Sequence, residues 1–133
     1  MNGEGEDVYH TLFGSMTLGV IIYEMVYDDG GNPADYIILE VNQACERLLG
    51  IKRENALGRP ATKVYGLKRA PHLERFHEMI SKGKPFDSEE CFPKIKKYFA
   101  CSSIPLGGDR FTVIFKDMTE RKRMRTLILM LLK

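Results

Sequence analysis

The sequence predicts an α+β fold: a mainly antiparallel sheet flanked by short helices. Three observations carry this. Strand-like segments fall in two runs, with helical periodicity gathered between them. Dense turn signals at Asp28-Asp29-Gly30-Gly31-Asn32-Pro33 and at Gly107-Gly108-Asp109 each separate two such segments, as antiparallel hairpins require. The chain of 133 residues is 44% hydrophobic and 29% charged, enough for one core and too apolar for a disordered chain.

The elements follow in order. Residues 8–16 place Val8, Leu12 and Phe13 at helical spacing, with Met16 a turn further on, and read as a short amphipathic helix. Residues 17–27 are rich in β-branched and aromatic side chains and read as a strand. After the first turn signal, residues 35–41 form a second strand. Simple alternation puts Ile37, Leu39 and Val41 on one face and Tyr36, Ile38 and Glu40 on the other. Asn42 caps a helix whose buried side is Ala44, Leu48 and Leu49, and Gly50 ends it. Residues 52–66 predict one or two short helical turns. Pro71 is placed in the first turn of a longer helix with Leu73, Phe76 and Ile80 on its inner side and Gly83 beyond its end.

Three strands follow, at about 86–92, 96–104 and 110–116. In the last, Phe111, Val113 and Phe115 alternate with Arg110, Thr112, Ile114 and Lys116, a half-buried pattern. The final helix starts at Asp117. Asp117 and Glu120 have capping-box spacing, and Met124, Leu127, Ile128 and Leu131 line one side. The chain thus divides into an N-terminal helix (1–16), a core (17–117) and an amphipathic C-terminal helix (118–133).

Charge is unevenly spread. Residues 1–46 hold nine acids and no Lys or Arg, whereas the remainder holds 20 bases and nine acids. The favoured reading is attraction between the halves, within the fold or across a dimer. Nucleic acid is not expected as a partner, because the bases are scattered and form no stripe interleaved with aromatics. No apolar run approaches the roughly 18 residues of a membrane span. Met1 is followed by an acidic stretch, so no secretory signal is read. The three cysteines (Cys45, Cys91 and Cys101) form no CxxC pair and read as free thiols of a cytoplasmic protein, with no metal site expected. Catalytic motifs are absent, and alternation turns Glu89 and Glu90 to opposite faces, so no catalytic residues are assigned.

Several stretches share a pattern: Leu18-Gly19-Val20, residues 36–41 running into Asn42-Gln43-Ala44, and Leu48-Leu49-Gly50. After them come Glu54, Gly58, residues 111–115, and above all Asp117-Met118-Thr119-Glu120-Arg121-Lys122. On these residues the chain resembles a PAS domain of the type found in bacterial and archaeal sensor histidine kinases. The resemblance covers about residues 12–125. It implies a five-stranded antiparallel sheet, a helical flank and a small pocket between them. It also implies a terminal helix that passes a signal to neighbouring modules of the same polypeptide, in a two-component system, and a homodimer.

Given that resemblance, the candidate ligand pocket is lined by Ile37, Leu39, Leu48, Val64, Tyr65, Phe76, Ile80, Phe99, Cys101, Phe111 and Val113, with Tyr65, Ser103 and Arg69 as polar points; the favoured alternative is that these side chains simply fill the core and leave no cavity. The expected relay residues are Asp117, Thr119 and Glu120: Asp117 accepts backbone N–H bonds of the exit helix, which stiffens the junction. No cofactor is expected, and an unknown small ligand stays open. In haem-binding members the long helix supplies the axial ligand, which makes His77 the haem candidate. Light-sensing relatives carry a reactive Cys in the motif Asn-Cys-Arg-Phe-Leu-Gln, whereas Arg59-Pro60-Ala61-Thr62-Lys63 here has none. A pure dimerisation module without ligand and a small α+β enzyme are the other readings.

Overall fold

The structure, a computed structural model, describes residues 17–132. The predicted helix over residues 8–16 lies outside the described residues. Five strands form one sheet: β1 (Gly19–Tyr27), β2 (Pro33–Val41), β3 (Phe86–Phe92), β4 (Lys97–Gly107) and β5 (Arg110–Asp117). Their spatial order is β2-β1-β5-β4-β3, every neighbouring pair antiparallel. The first strand and the last strand therefore lie side by side in the middle. Between β2 and β3 come α1 (Gln43–Leu49), α2 (Arg53–Ala56), α3 (Ala61–Tyr65) and α4 (Leu73–Lys82), and α5 (Thr119–Leu131) leaves from β5.

Local chemistry explains the turns and caps. Asp28 Oδ1 accepts the N–H groups of Gly30 and Asn32, both at 2.9 Å, which closes the first hairpin. Gly31 takes φ +79°, a value only glycine adopts without strain. Asn42 Oδ1 accepts the Cys45 N–H at 2.9 Å and caps α1, as predicted, and Gly50 ends α1 in the left-handed region.

One face of the sheet is covered by α1–α4. Phe99, Phe111, Ile38, Ile21 and Leu73 are almost fully buried there, and each such side chain contributes roughly 1.5–3 kcal/mol of transfer free energy.

Three expectations need correction. In β2 the inward residues are Tyr36, Ile38 and Val41, not Ile37 and Leu39. The ladder pairs Ile22 with Glu40 and then Tyr23 with Ile38, so Leu39 is an extra residue in a bulge. The bulge resets the alternation, and Val41 turns inward beside the Tyr36–Ile38 set. Pro71 lies outside α4, because His72 turns the chain at φ 54° and α4 begins at Leu73. Strand β4 runs three residues beyond the predicted end, to Gly107. Separately, α5 has no buried residue: Met124 and residues 127–132 are 50–78% exposed. Its apolar side has no place in this core.

Candidate functional site

The space between sheet and helices is filled by aromatic rings. Tyr23, Tyr36, Phe76 and Phe111 form a mutual cluster with centroid distances of 4.5–5.5 Å, and Phe86 stacks on Phe76 at 5.7 Å. The phenols inside are partnered: Tyr23 Oη lies 2.5 Å from Tyr65 Oη, and Tyr36 Oη donates to the Pro71 carbonyl at 2.8 Å. Burial raises the pKa values of Tyr23, Tyr36 and Tyr65 above the ordinary phenol range, so all three stay neutral. Burial also pushes the thiols of Cys45 and Cys101 up to about 12, with Glu46 and Glu90 adding to it. Such thiols are protonated at neutral pH and are poor nucleophiles.

Two depressions stand out on the surface. One of about 510 Å³ lies on the outer face of the sheet beside Leu18, Ala100, Ser102, Ile114 and Lys116. The other, about 280 Å³, lies beside Arg75, Met79, Lys84 and Phe86.

The second locus is the joint where β5 becomes α5. Asp117 Oδ1 accepts the Thr119 N–H at 2.9 Å and also the Thr119 hydroxyl. Thr119 Oγ1 in turn accepts the Tyr98 N–H at 3.1 Å, and the Met118 N–H donates to Tyr98 O at 2.7 Å. Lys122 Nζ sits 4.9 Å from the centre of the Tyr98 ring. The first turn of α5 is thus fastened to one residue of β4. Partial burial acts to raise the Asp117 pKa, but the two Thr119 bonds and the charges of Lys97 and Arg123 outweigh it and hold the pKa below the usual carboxylate value. Next to Tyr98, Lys97 Nζ donates to Leu48 O in the last turn of α1 at 2.8 Å.

A sequence profile of the PAS domain matches residues 19–120. The chain belongs to the PAS-domain family. It is a sensory domain, and its sheet order and helical flank are those of the PAS/LOV fold. Solved structures share this PAS fold at low identity. A domain of an HTR-like protein from Haloarcula marismortui is 18% identical with a TM-score of 0.59, covering 78% of this chain and 100% of that one. A domain of a sensory box sensor histidine kinase/response regulator from Geobacter sulfurreducens is 17% identical with a TM-score of 0.57, covering 88% and 97%. The LOV domain of the Erythrobacter litoralis EL346 blue-light activated histidine kinase is 20% identical with a TM-score of 0.51, covering 77% and 97%. No curated protein sequence matches.

Within this PAS domain the predicted lining residues separate. Phe76, Phe99, Cys101, Ser103, Phe111 and Val113 are buried, and Leu48, Val64, Tyr65 and Ile80 pack on the core from its margin. Leu39 and Ile37 do not belong to the inward face of β2, for the reason given above. Arg69 pairs with Glu74 on the surface and does not enter the interior. His77 packs edge-on against Tyr27 at 5.6 Å, near the far end of β1. The Tyr23–Tyr36–Phe76–Phe111 cluster occupies the space between sheet and helices, so a porphyrin or a flavin would enter there only if these rings moved apart.

Of the expected relay residues, Asp117 and Thr119 are bonded to each other at the joint. Glu120 is not part of it: α5 is preceded by Met118, without a side-chain cap, and Glu120 pairs with Arg123 at 3.0 Å in solvent. The capping box fails because Asp117 is one position too early and spends its carboxylate on Thr119. Sequence reasoning missed Tyr98 and Lys97. Their partners lie 21 and 49 residues away, and no local spacing signals such bonds.

Proposed function

We propose that this PAS domain is a cytoplasmic relay module of a larger regulator of the two-component histidine kinase type. It forms a homodimer through α5 and passes the state of its sheet to the segment that follows. The observation that carries this reading is the contrast at the joint. The first turn of α5 is bonded to Tyr98 and Asp117, while the rest of the helix buries nothing in its own domain. A stiffly mounted helix with exposed apolar residues is suited to move against a partner. Met124, Leu127 and Leu131 recur at three and four residues, the spacing of a two-stranded seam.

In the ring-filled interior, a ligand is small and enters by displacing a ring. The same packing favours a second reading, a relay and dimerisation module that takes its input from a partner and binds no ligand. No catalytic role is assigned to this chain.

Light scattering over a concentration series tests the dimer. The chain is expected to run as a dimer, and Leu127→Glu with Leu131→Glu to give a folded monomer. A dimer that survives both charges removes α5 as the interface. Native mass spectrometry of the freshly purified chain separates the two readings. A retained small molecule supports sensing by ligand, and bare protein supports the partner-driven relay.

A further inference from the structure

The two ends of the core meet in the middle of the sheet, and the residues there do more than pair. Gly19 of β1 is opposite Phe115 of β5. The Phe115 ring lies over Gly19 so closely that a Cβ at Gly19 would collide with it. Asn42 grips both residues that flank Gly19. Its Oδ1 accepts the Val20 N–H at 2.9 Å, its Nδ2 donates to Leu18 O at 2.9 Å, and its own N–H donates to Val20 O at 3.1 Å. Asn42 is 2% exposed, so these bonds are made in a dry site where an unmade one is costly.

On the other side, Phe115 packs against Phe99 with centroids 5.2 Å apart. Phe99 pairs with Asp117, and its neighbour Tyr98 holds Met118 and Thr119. The far end of α1, the helix that Asn42 caps, returns to the same corner through Lys97 and Leu48 O.

We propose that Asn42, Gly19 and Phe115 form a clasp that couples the incoming strand directly to the outgoing helix. Strain applied to the chain ahead of Leu18 then reaches Met118 and Thr119 through Phe115, Phe99 and Tyr98, without passing through the Tyr23–Tyr36–Phe76–Phe111 interior. Asn42 acts here as a positioning residue, distinct from its role as helix cap. The use of this coupling rests on the relay reading above, but its existence does not, and it is tested on the chain with no ligand and no stimulus.

The test is residue-resolved amide hydrogen exchange of the full chain. Asn42→Asp keeps the acceptor for Val20 and Cys45 and removes the donor to Leu18 O. It is expected to speed exchange of the Met118 and Thr119 amides at least tenfold more than that of the α4 amides. An equal effect at both places, or none at Met118 and Thr119, overturns the clasp and leaves Asn42 a plain anchor. Asn42→Ser, which retains the cap and is too short to bridge to Leu18, is the second variant and must show the same selective increase. Neither result bears on dimerisation by α5, so the failure of one reading is distinguishable from the failure of the other.

Discussion

At the scale of single residues, the thiols show how burial sets chemistry. Cys91 is exposed, whereas Cys45 and Cys101 are buried with pKa values pushed up to about 12. Thiol reagents attack through the thiolate. At pH 8 the folded chain should therefore take up one equivalent quickly, abolished by Cys91→Ser, and two more only on unfolding. Fast labelling of Cys45 in the folded state would contradict the buried environment. The sign of the pH dependence follows. In the unfolded chain these thiols titrate near about 8.5. Folding favours their neutral form, so their contribution is complete below that pH and is lost as pH rises toward about 12. Denaturant midpoints should fall across that alkaline window, and less so in a Cys45→Ala, Cys101→Ala chain.

At the scale of elements, most boundaries were legible because their causes are local. Asn42 and Gly50 bracket α1, and the Asp28–Pro33 run makes its hairpin from side chain and φ preference alone. What misled was non-local. The Leu39 bulge arises from pairing with β1, so strict alternation assigned Leu39 to the core in place of Ile38. The site divided in the same way: Phe76, Phe99 and Phe111 are legible from periodicity, and Tyr98 and Lys97 are not.

The joint gives the prediction at this scale. The pKa of Asp117 is depressed in the folded chain, so its grip on Thr119 is complete above the unfolded value of about 3.9 and is lost as pH falls through the folded one. The amide signals of Met118 and Thr119 should titrate together below about pH 4, and Asp117→Ala should abolish that step while the sheet signals stay in place. Titration of those amides in the absence of the Asp117 carboxylate would assign the joint to another group.

At the scale of the whole molecule, the strand order decides which pieces can fold. Strand β5 lies between β1 and β4 and is bonded to both along most of its length. Its residues Phe111, Val113 and Phe115 all enter the core. A chain ending at residue 109 would leave the inner edges of β1 and β4 unpaired and the aromatic cluster without Phe111, and it should not give a cooperative thermal transition. A chain ending at residue 121 keeps Asp117 bonded to Thr119 and keeps Met118 and Thr119 bonded to Tyr98; apart from Lys122 over the Tyr98 ring, the side chains it removes bury nothing in the domain. That chain should melt cooperatively, within a few degrees of the full chain once the latter is held monomeric by Leu127→Glu and Leu131→Glu. Its mass by light scattering should be that of one copy. Loss of the sheet's circular dichroism in the 1–121 chain would show that α5 supports its own domain, and the contrast between a fixed joint and a free helix would then no longer carry the relay.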